Sequence, residues 1–112
     1  MTISQIKELC RIYGFKPSKS KGQNFLIDEN VLTKIVKAAD LKKKDYVLEV
    51  GPGFGVLTEE LIKHCQKVLS VELDKKLLFF LQKKFKGVDN LEILEEGIQD
   101  LKFNFTTFIA AK

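Results

Sequence analysis

A short apolar run that stops at a cluster of glycines constrains this chain more than any other feature. Residues 46–50 read Tyr-Val-Leu-Glu-Val, and Gly-Pro-Gly-Phe-Gly follows directly at 51–55. A nearly continuous apolar run of this length is typical of a parallel strand buried on both faces. Glycines placed directly after such a strand allow a close ligand approach that side chains would block. The run therefore predicts a strand that leads into a nucleotide-type binding loop. A glycine-rich turn with no ligand is the alternative.

The rest of the chain alternates between helical and strand patterns. Apolar residues at helical spacing predict a first helix over residues 2–13, ended by Gly14, and a second helix capped by Asp28. After the first strand at 46–50, further apolar runs predict strands at 68–73 and 91–94. Helical faces between them are formed by Leu57, Leu61, Ile62 and Cys65, and by Leu77, Leu78, Leu81 and Phe85. The order β-α-β-α-β predicts a three-layer α/β domain with a parallel sheet, whose ligands bind at the carboxyl ends of the strands.

Length and composition limit the organisation of the chain. A chain of 112 residues suits one domain, with N-terminal helices and a loop over 1–45 and the β-α-β-α-β portion over 46–112. Nineteen basic against fifteen acidic residues give a net charge of +4, which is compatible with a polyanionic partner but does not demonstrate one. Cys10 and Cys65 are isolated, so we expect neither a disulfide nor a metal site. No signal peptide or membrane span is evident, and we expect a soluble cytoplasmic protein.

A carboxylate at the end of the second predicted strand supports a nucleotide-type ligand. Glu72 lies 21 residues after Gly51, a position from which a carboxylate can accept hydrogen bonds from both hydroxyls of a ribose. A solvated Glu72 beside Asp74 is the alternative. Together the loop and Glu72 allow a nicotinamide or flavin enzyme, but those enzymes usually carry G-x-G-x-x-G. Here the spacing is G-x-G-x-G, and Glu49 precedes the first glycine by two residues.

This E-x-G-x-G-x-G loop resembles that of class I S-adenosylmethionine (SAM) methyltransferases. Upstream, residues 21–28 read Lys-Gly-Gln-Asn-Phe-Leu-Ile-Asp, and the loop region reads VLEVGPGFGVLTEEL, followed by VLSVELD. This combination resembles the ribosomal RNA adenine dimethyltransferase family from about Lys19 to the end of the third strand. The resemblance implies a Rossmann-like SAM methyltransferase sheet, of which this chain holds an incomplete N-terminal part.

The resemblance also implies which residues bind SAM. Glu72 would hold the ribose, and the other matching positions are Gln23, Asn24, Leu26, Gly51 and Gly53. In the family an acidic residue after the third strand lies beside the adenine. Counting forward from Leu91 places this position at Gly97, whereas counting back from Leu101 leads to Asp100, and the sequence leaves both open.

The function implied by the resemblance is methyl transfer from SAM to the exocyclic amine of adenines in small-subunit ribosomal RNA. The immature small ribosomal subunit would be the partner, with no metal and no membrane. The family's Asn-Leu-Pro-Tyr motif after the fourth strand does not occur in the sequence. We therefore expect a chain truncated before that motif, inactive alone, with no assignable catalytic residue. A non-catalytic nucleic-acid-binding module, as in transcription-factor relatives, and a SAM enzyme with another substrate remain alternatives.

The remaining conspicuous residues are interpreted more simply. Lys16, Lys19 and Lys21 are candidate phosphate contacts. His64 is expected at the surface, and the lysine clusters at 42–44 and 83–86 are expected to be solvated. Phe79, Phe80, Phe103, Phe105 and Phe108 are expected in the core.

Overall fold

The structure is a computed structural model that describes residues 2–15 and 29–97, together with the backbone of 107–110. Its helices and strands follow the alternation predicted from the sequence. The helices are α1 (Ile3–Tyr13), α2 (Glu29–Ala39), α3 (Val56–His64) and α4 (Lys75–Lys84). The strands are β1 (Tyr46–Val50), β2 (Lys67–Val71), β3 (Leu91–Leu94) and β4 (Thr107–Ala110).

The four strands form one parallel sheet in the order β3-β2-β1-β4. The sequence predicted only three strands, and that count was wrong: β4 pairs with β1 from Val47↔Thr107 to Val50↔Ala110. The four residues Thr-Phe-Ile-Ala are too short a run to be told from a helix segment by periodicity alone. Pairing with β1, about sixty residues away in sequence, identifies them as a strand.

The second strand ends earlier than predicted, at Val71 instead of residue 73. Beyond it the chain turns, because the Glu72 side chain accepts hydrogen bonds from the backbone amides of Leu73 and Asp74. Asp74 then caps α4 by accepting from the amides of Lys76 and Leu77. Local side-chain capping therefore overrides the apolar pattern that had included Leu73 in the strand.

The described helices pack on one face of the sheet. The larger apolar cluster joins strand residues Val47 and Val68 to side chains of all four helices: Ile6, Cys10, Leu32, Leu57, Leu61 and Leu77. The smaller cluster, on the opposite face, contains only strand residues as its buried members: Leu48, Leu69 and Val71. The α/β Rossmann-like class is thus confirmed. The described helices supply one helical layer, and the second helical layer of the three-layer prediction stays a prediction.

Several simpler interpretations can be compared with the structure. Gly14 ends α1 in a left-handed conformation, with φ 76°, as predicted. His64 is exposed as expected. Both cysteines are free and buried. The three C-terminal phenylalanines, the Asp28 cap and Lys16, Lys19 and Lys21 lie outside the described side chains.

Two interpretations were wrong. Phe79 is 52% exposed instead of lying in the core, because α4 turns it outward while neighbouring Phe80 packs inward. Lys84 is not a solvated lysine: its side chain is only 18% exposed and forms an ion pair with Glu59. Phe79 lies outside the apolar face of α4, so helical periodicity already indicated its exposure. Lys84 is covered through its contact with Glu59 of α3, which no local pattern shows.

Candidate functional site

The glycine segment forms a tight turn at the carboxyl end of β1. Gly51, Gly53 and Gly55 all have positive φ, at 69°, 60° and 80°. The Gly51 N–H donates to the Val71 carbonyl at 3.0 Å, which ties the start of the loop to the end of β2. The Gly55 N–H donates to the Pro52 carbonyl at 2.9 Å and closes the turn just before α3. The ends of β1 and β2 therefore meet beside the loop.

Glu72 lies at this same edge, directly after β2. Its backbone N–H still donates to the Leu94 carbonyl of β3 at 2.9 Å, so the residue is held by the sheet. Its Oε2 accepts from the amides of Leu73 at 2.9 Å and Asp74 at 3.0 Å. The glycine loop begins close by, because the Gly51 N–H donates to the carbonyl of Val71, the residue before Glu72. The carboxylate predicted to bind a ribose therefore lies at the same edge of the sheet as the glycine loop.

The Glu72 carboxylate is half-buried, and that burial raises its pKa above the ordinary value. Hydrogen bonds from the amides of Asp74, Leu73 and Gly53 oppose the shift, whereas the nearby charge of Asp74 adds to it. A carboxylate accepting several backbone amides is fixed in orientation and has acceptor capacity left for ligand hydroxyls.

Glu49 of β1, two residues before the glycine loop, is a second carboxylate, and it is fully buried. Its Oε1 accepts from Thr58 Oγ1 of α3 and from Ser70 Oγ of β2, the latter at 2.8 Å. Among the described residues no hydrogen-bond partner is found for its Oε2. Burial raises the pKa of Glu49, the two hydroxyl hydrogen bonds oppose the shift, and the charge of Glu72 adds to it. An unpartnered buried oxygen next to a loop is uncommon in native proteins, and it favours a polar or cationic group nearby.

An exposed apolar side chain lies beside the carboxylate. Leu73, which follows Glu72, is 64% exposed, the highest exposure among the large apolar residues described. The sequence interpretation had assigned it to a strand and missed it. Its position directly after Glu72, the carboxylate predicted to bind a ribose, could have identified it in the sequence. An apolar side chain at that position can cover one face of the base attached to the ribose.

Three of the predicted site residues meet at this edge: Gly51, Gly53 and Glu72. Gly97 is buried, three residues after the end of β3, which neighbours β2. Gln23, Asn24, Leu26 and Asp100 lie outside the described residues. The predicted roles of all eight positions in binding a cofactor stay predictions. Within 2–15 and 29–97, no group of three or more side chains suited to a metal ion was found.

The sequence interpretation also missed Thr58 and Ser70, the partners of Glu49. Ser70 is 21 residues from Glu49 in the chain, but the strand register places the two residues opposite each other on β2 and β1. A charged residue inside an otherwise apolar strand was the signal that partners had to exist.

The parallel sheet, the glycine loop after β1 and the carboxylate after β2 define a class I SAM methyltransferase fold. Solved structures agree. A dimethyladenosine transferase from Plasmodium falciparum matches with a TM-score of 0.69 and 32% identity, over 76% of this chain and 32% of that chain. The 23S rRNA methyltransferase ErmE matches with a TM-score of 0.64 and 32% identity, over 69% of this chain and 32% of that chain.

Sequence comparison gives the family. The family profile described as ribosomal RNA adenine dimethylase matches residues 14–111, and this chain belongs to that family. A ribosomal RNA small subunit methyltransferase A from Dehalococcoides mccartyi is 50% identical over 96 residues, which cover 86% of this chain and 33% of that protein. The chain therefore spans about a third of the length of the curated relatives it matches.

Proposed function

We propose that this chain carries the SAM-binding part of an enzyme that dimethylates adenines of small-subunit ribosomal RNA at the exocyclic amine. The observation that carries the proposal is the position of Glu72 directly after Val71, whose carbonyl accepts from the Gly51 N–H of the glycine loop, in a chain of the adenine dimethylase family. The Glu72 carboxylate and the glycine turn occupy one edge of the sheet, where ligands of such sheets bind.

The described residues fit SAM in three ways. Glu72 has free acceptor capacity for the ribose hydroxyls, because the Leu73 and Asp74 amides bond only one of its oxygens. Gly51 and Gly53 carry no side chain that would block the approach to the backbone. Leu73 offers an exposed apolar surface for one face of the adenine. Gln23, Asn24, Leu26 and either Gly97 or Asp100 complete the proposed site.

Charge favours SAM over a dinucleotide. The half-buried Glu72 carboxylate lies at the edge where the glycine loop begins, so its negative charge would repel an anionic pyrophosphate there. The sulfonium of SAM is cationic and is favoured by the same carboxylate. SAM supplies an activated methyl group, and this part of the protein contributes its position more than acid–base chemistry.

We propose small-subunit ribosomal RNA, within the immature subunit, as the partner. Several of the curated relatives are named for methylation of small-subunit ribosomal RNA, and the chain's net charge of +4 is compatible with RNA. Lys16, Lys19 and Lys21 are the proposed phosphate contacts. None of the described helices is long and apolar enough to cross a membrane, and we propose a cytoplasmic location.

Calorimetric titration with SAM tests the cofactor assignment. Glu72→Ala removes two charge-assisted hydrogen bonds to the ribose, and we expect a loss of roughly 2–3 kcal/mol, about 30- to 150-fold in Kd. Glu92→Ala is the matched control, because Glu92 is an exposed β3 carboxylate paired only with a surface lysine. Equal affinity of Glu72→Ala and wild type would remove the ribose assignment. Tighter binding of NADH than of SAM would overturn the choice of cofactor.

Methyl transfer tests the substrate. A version of this chain extended to the length of its curated relatives is incubated with tritiated SAM and immature small ribosomal subunits. We expect labelled dimethyladenine, lost with Glu72→Ala at SAM concentrations that saturate the wild type only. SAM binding without labelling of the RNA would instead favour a non-catalytic nucleic-acid-binding module or a different methyl acceptor.

A further inference from the structure

The glycine loop is held from the side by the last turn of α4. Lys84 reaches across to it, and its Nζ donates to the Phe54 carbonyl at 2.8 Å. The same ammonium forms an ion pair with Glu59 of α3. The Lys84 side chain is 18% exposed and that of Glu59 38%, so solvent screens this arrangement less than it screens a surface pair.

The hydrogen bond from Lys84 fixes a particular peptide group. The peptide between Phe54 and Gly55 offers its carbonyl to Lys84 and its N–H to the Pro52 carbonyl, at 2.9 Å. Both ends of this peptide group are therefore bonded, and it cannot rotate without losing two hydrogen bonds. Flipping of a peptide group is the main way in which a turn with alternating glycines could change its shape.

The Phe54 side chain is anchored on the same helix. It is 4% exposed, and its ring packs edge-on against that of Phe80, with the ring centroids 5.2 Å apart. The Lys84 ammonium lies 5.8 Å from the Phe80 ring centroid and 5.3 Å from that of Phe85. Side chain and carbonyl of Phe54 are thus both held by α4, the ring by packing and the carbonyl by Lys84.

The fixed peptide closes the turn that begins beside Glu72. At the start of this turn, the Gly51 N–H donates to the carbonyl of Val71, directly before Glu72. At its end, the Phe54–Gly55 peptide is bonded to Lys84 and to the Pro52 carbonyl. The contact of Lys84 therefore holds one end of a turn whose other end is bonded beside the carboxylate.

We propose that Lys84 is a positioning residue that holds the glycine loop in its ligand-binding shape, and that Glu59 holds Lys84 in place. The identity of the ligand, SAM, rests on the proposed function. The loop motif does not contain this lysine, which lies thirty residues further along the chain. Lys84 acts on the candidate site through the Phe54 carbonyl of the glycine loop.

Amide exchange in the ligand-free chain tests the proposal independently of SAM. Lys84→Met keeps the apolar stem and removes the donor, and we expect the Gly53 and Gly55 amides to exchange about tenfold faster, consistent with loss of part of a charge-assisted hydrogen bond. Exchange in the centre of β1, at Leu48, should be unchanged. Lys83→Met is the matched control, because Lys83 is exposed and lies over the outward-facing Phe79 ring at 4.3 Å.

Two further variants separate positioning from general stability. Lys84→Arg retains a donor and should restore most of the slow exchange, while Glu59→Gln should give an intermediate rate. Unchanged Gly53 and Gly55 exchange in Lys84→Met would overturn the proposal. The proposal would also be overturned if amide exchange became faster by the same factor in the loop and at Leu48. That result would mean that Lys84 stabilises the whole domain and does not position the loop.

Titration with SAM completes the test. We expect Lys84→Met to bind SAM about tenfold more weakly, and Lys83→Met within twofold of wild type. Faster loop exchange without any change in SAM affinity would refute the positioning role. If the wild-type chain binds no SAM, the proposed function fails, but the exchange experiment still decides whether Lys84 holds the loop.

Discussion

Replacement of Gly55 by alanine should destabilise the domain through two separate effects. Gly55 has φ +80°, a left-handed conformation that side chains rarely adopt. An added Cβ would also lie 2.6 Å from Phe85 Cε2 and 2.9 Å from Phe85 Cζ. Gly87 separates the two effects, because its φ is +84° but nothing lies within 4 Å of an added Cβ.

The expected magnitudes follow from these contacts. The left-handed conformation costs an alanine about 1–2 kcal/mol, and overpacking a core typically costs another 1–3 kcal/mol. We therefore expect Gly55→Ala to lower the free energy of unfolding by about 2–5 kcal/mol and Gly87→Ala by about 1–2 kcal/mol. The difference between the two variants measures the contacts of the added Cβ with Phe85 and, at 3.1 Å, with Leu81 Cδ2.

Urea unfolding followed by circular dichroism provides the assay. A second substitution, Phe85→Leu, removes the ring atoms nearest the added Cβ, so Gly55→Ala should be less damaging in the Phe85→Leu background than in wild type. The reasoning fails if Gly55→Ala and Gly87→Ala lose the same free energy. It also fails if the double variant shows simple additivity, because the ring of Phe85 would then not be the obstacle.

Three further predictions concern the edge of the sheet. Burial raises the pKa of Glu49 in the folded chain above its unfolded value, so the stability it contributes is present at low pH and is lost as pH rises through the folded pKa. Glu49→Gln should therefore gain stability relative to wild type as pH rises. A difference between the urea midpoints of the two proteins that stays constant from pH 4 to pH 9 would contradict this. Asp74→Ala removes the cap of α4 and should cost about 0.5–2 kcal/mol, measured by the same unfolding assay; no measurable loss would show that the cap hydrogen bonds contribute nothing. Leu73→Ser should weaken SAM binding about threefold to tenfold with little change in stability, because this side chain is already exposed, and unchanged affinity in calorimetry would exclude its contact with the adenine.

The sequence by itself determined the features that depend on local periodicity. The strand at 46–50 was predicted with the bounds that the structure shows, and the apolar faces of α3 and α4 were identified correctly, with Leu57, Leu61, Leu77 and Leu81 buried. Burial of one face repeats every 3.6 residues in a helix, so the pattern is visible within a single segment. The glycine loop and Glu72 could also be recognised from the sequence. Each directly follows a strand in the chain, so a local pattern was enough to identify it.

The tertiary structure decided what depends on distant residues. β4 is a strand because β1 offers it a partner, and Ser70 is a partner of Glu49 because the register of β1 and β2 sets them opposite each other. Phe79 and Phe80 have the same side chain and adjacent positions, but only Phe80 meets Phe54 and Tyr13. Lys84 belongs to a lysine-rich segment that looks uniformly solvated in the sequence, and only packing of α4 against α3 turns one lysine into the support of the glycine loop. Contacts of this kind join residues 21 to 67 positions apart, and no local pattern encodes the distance between them.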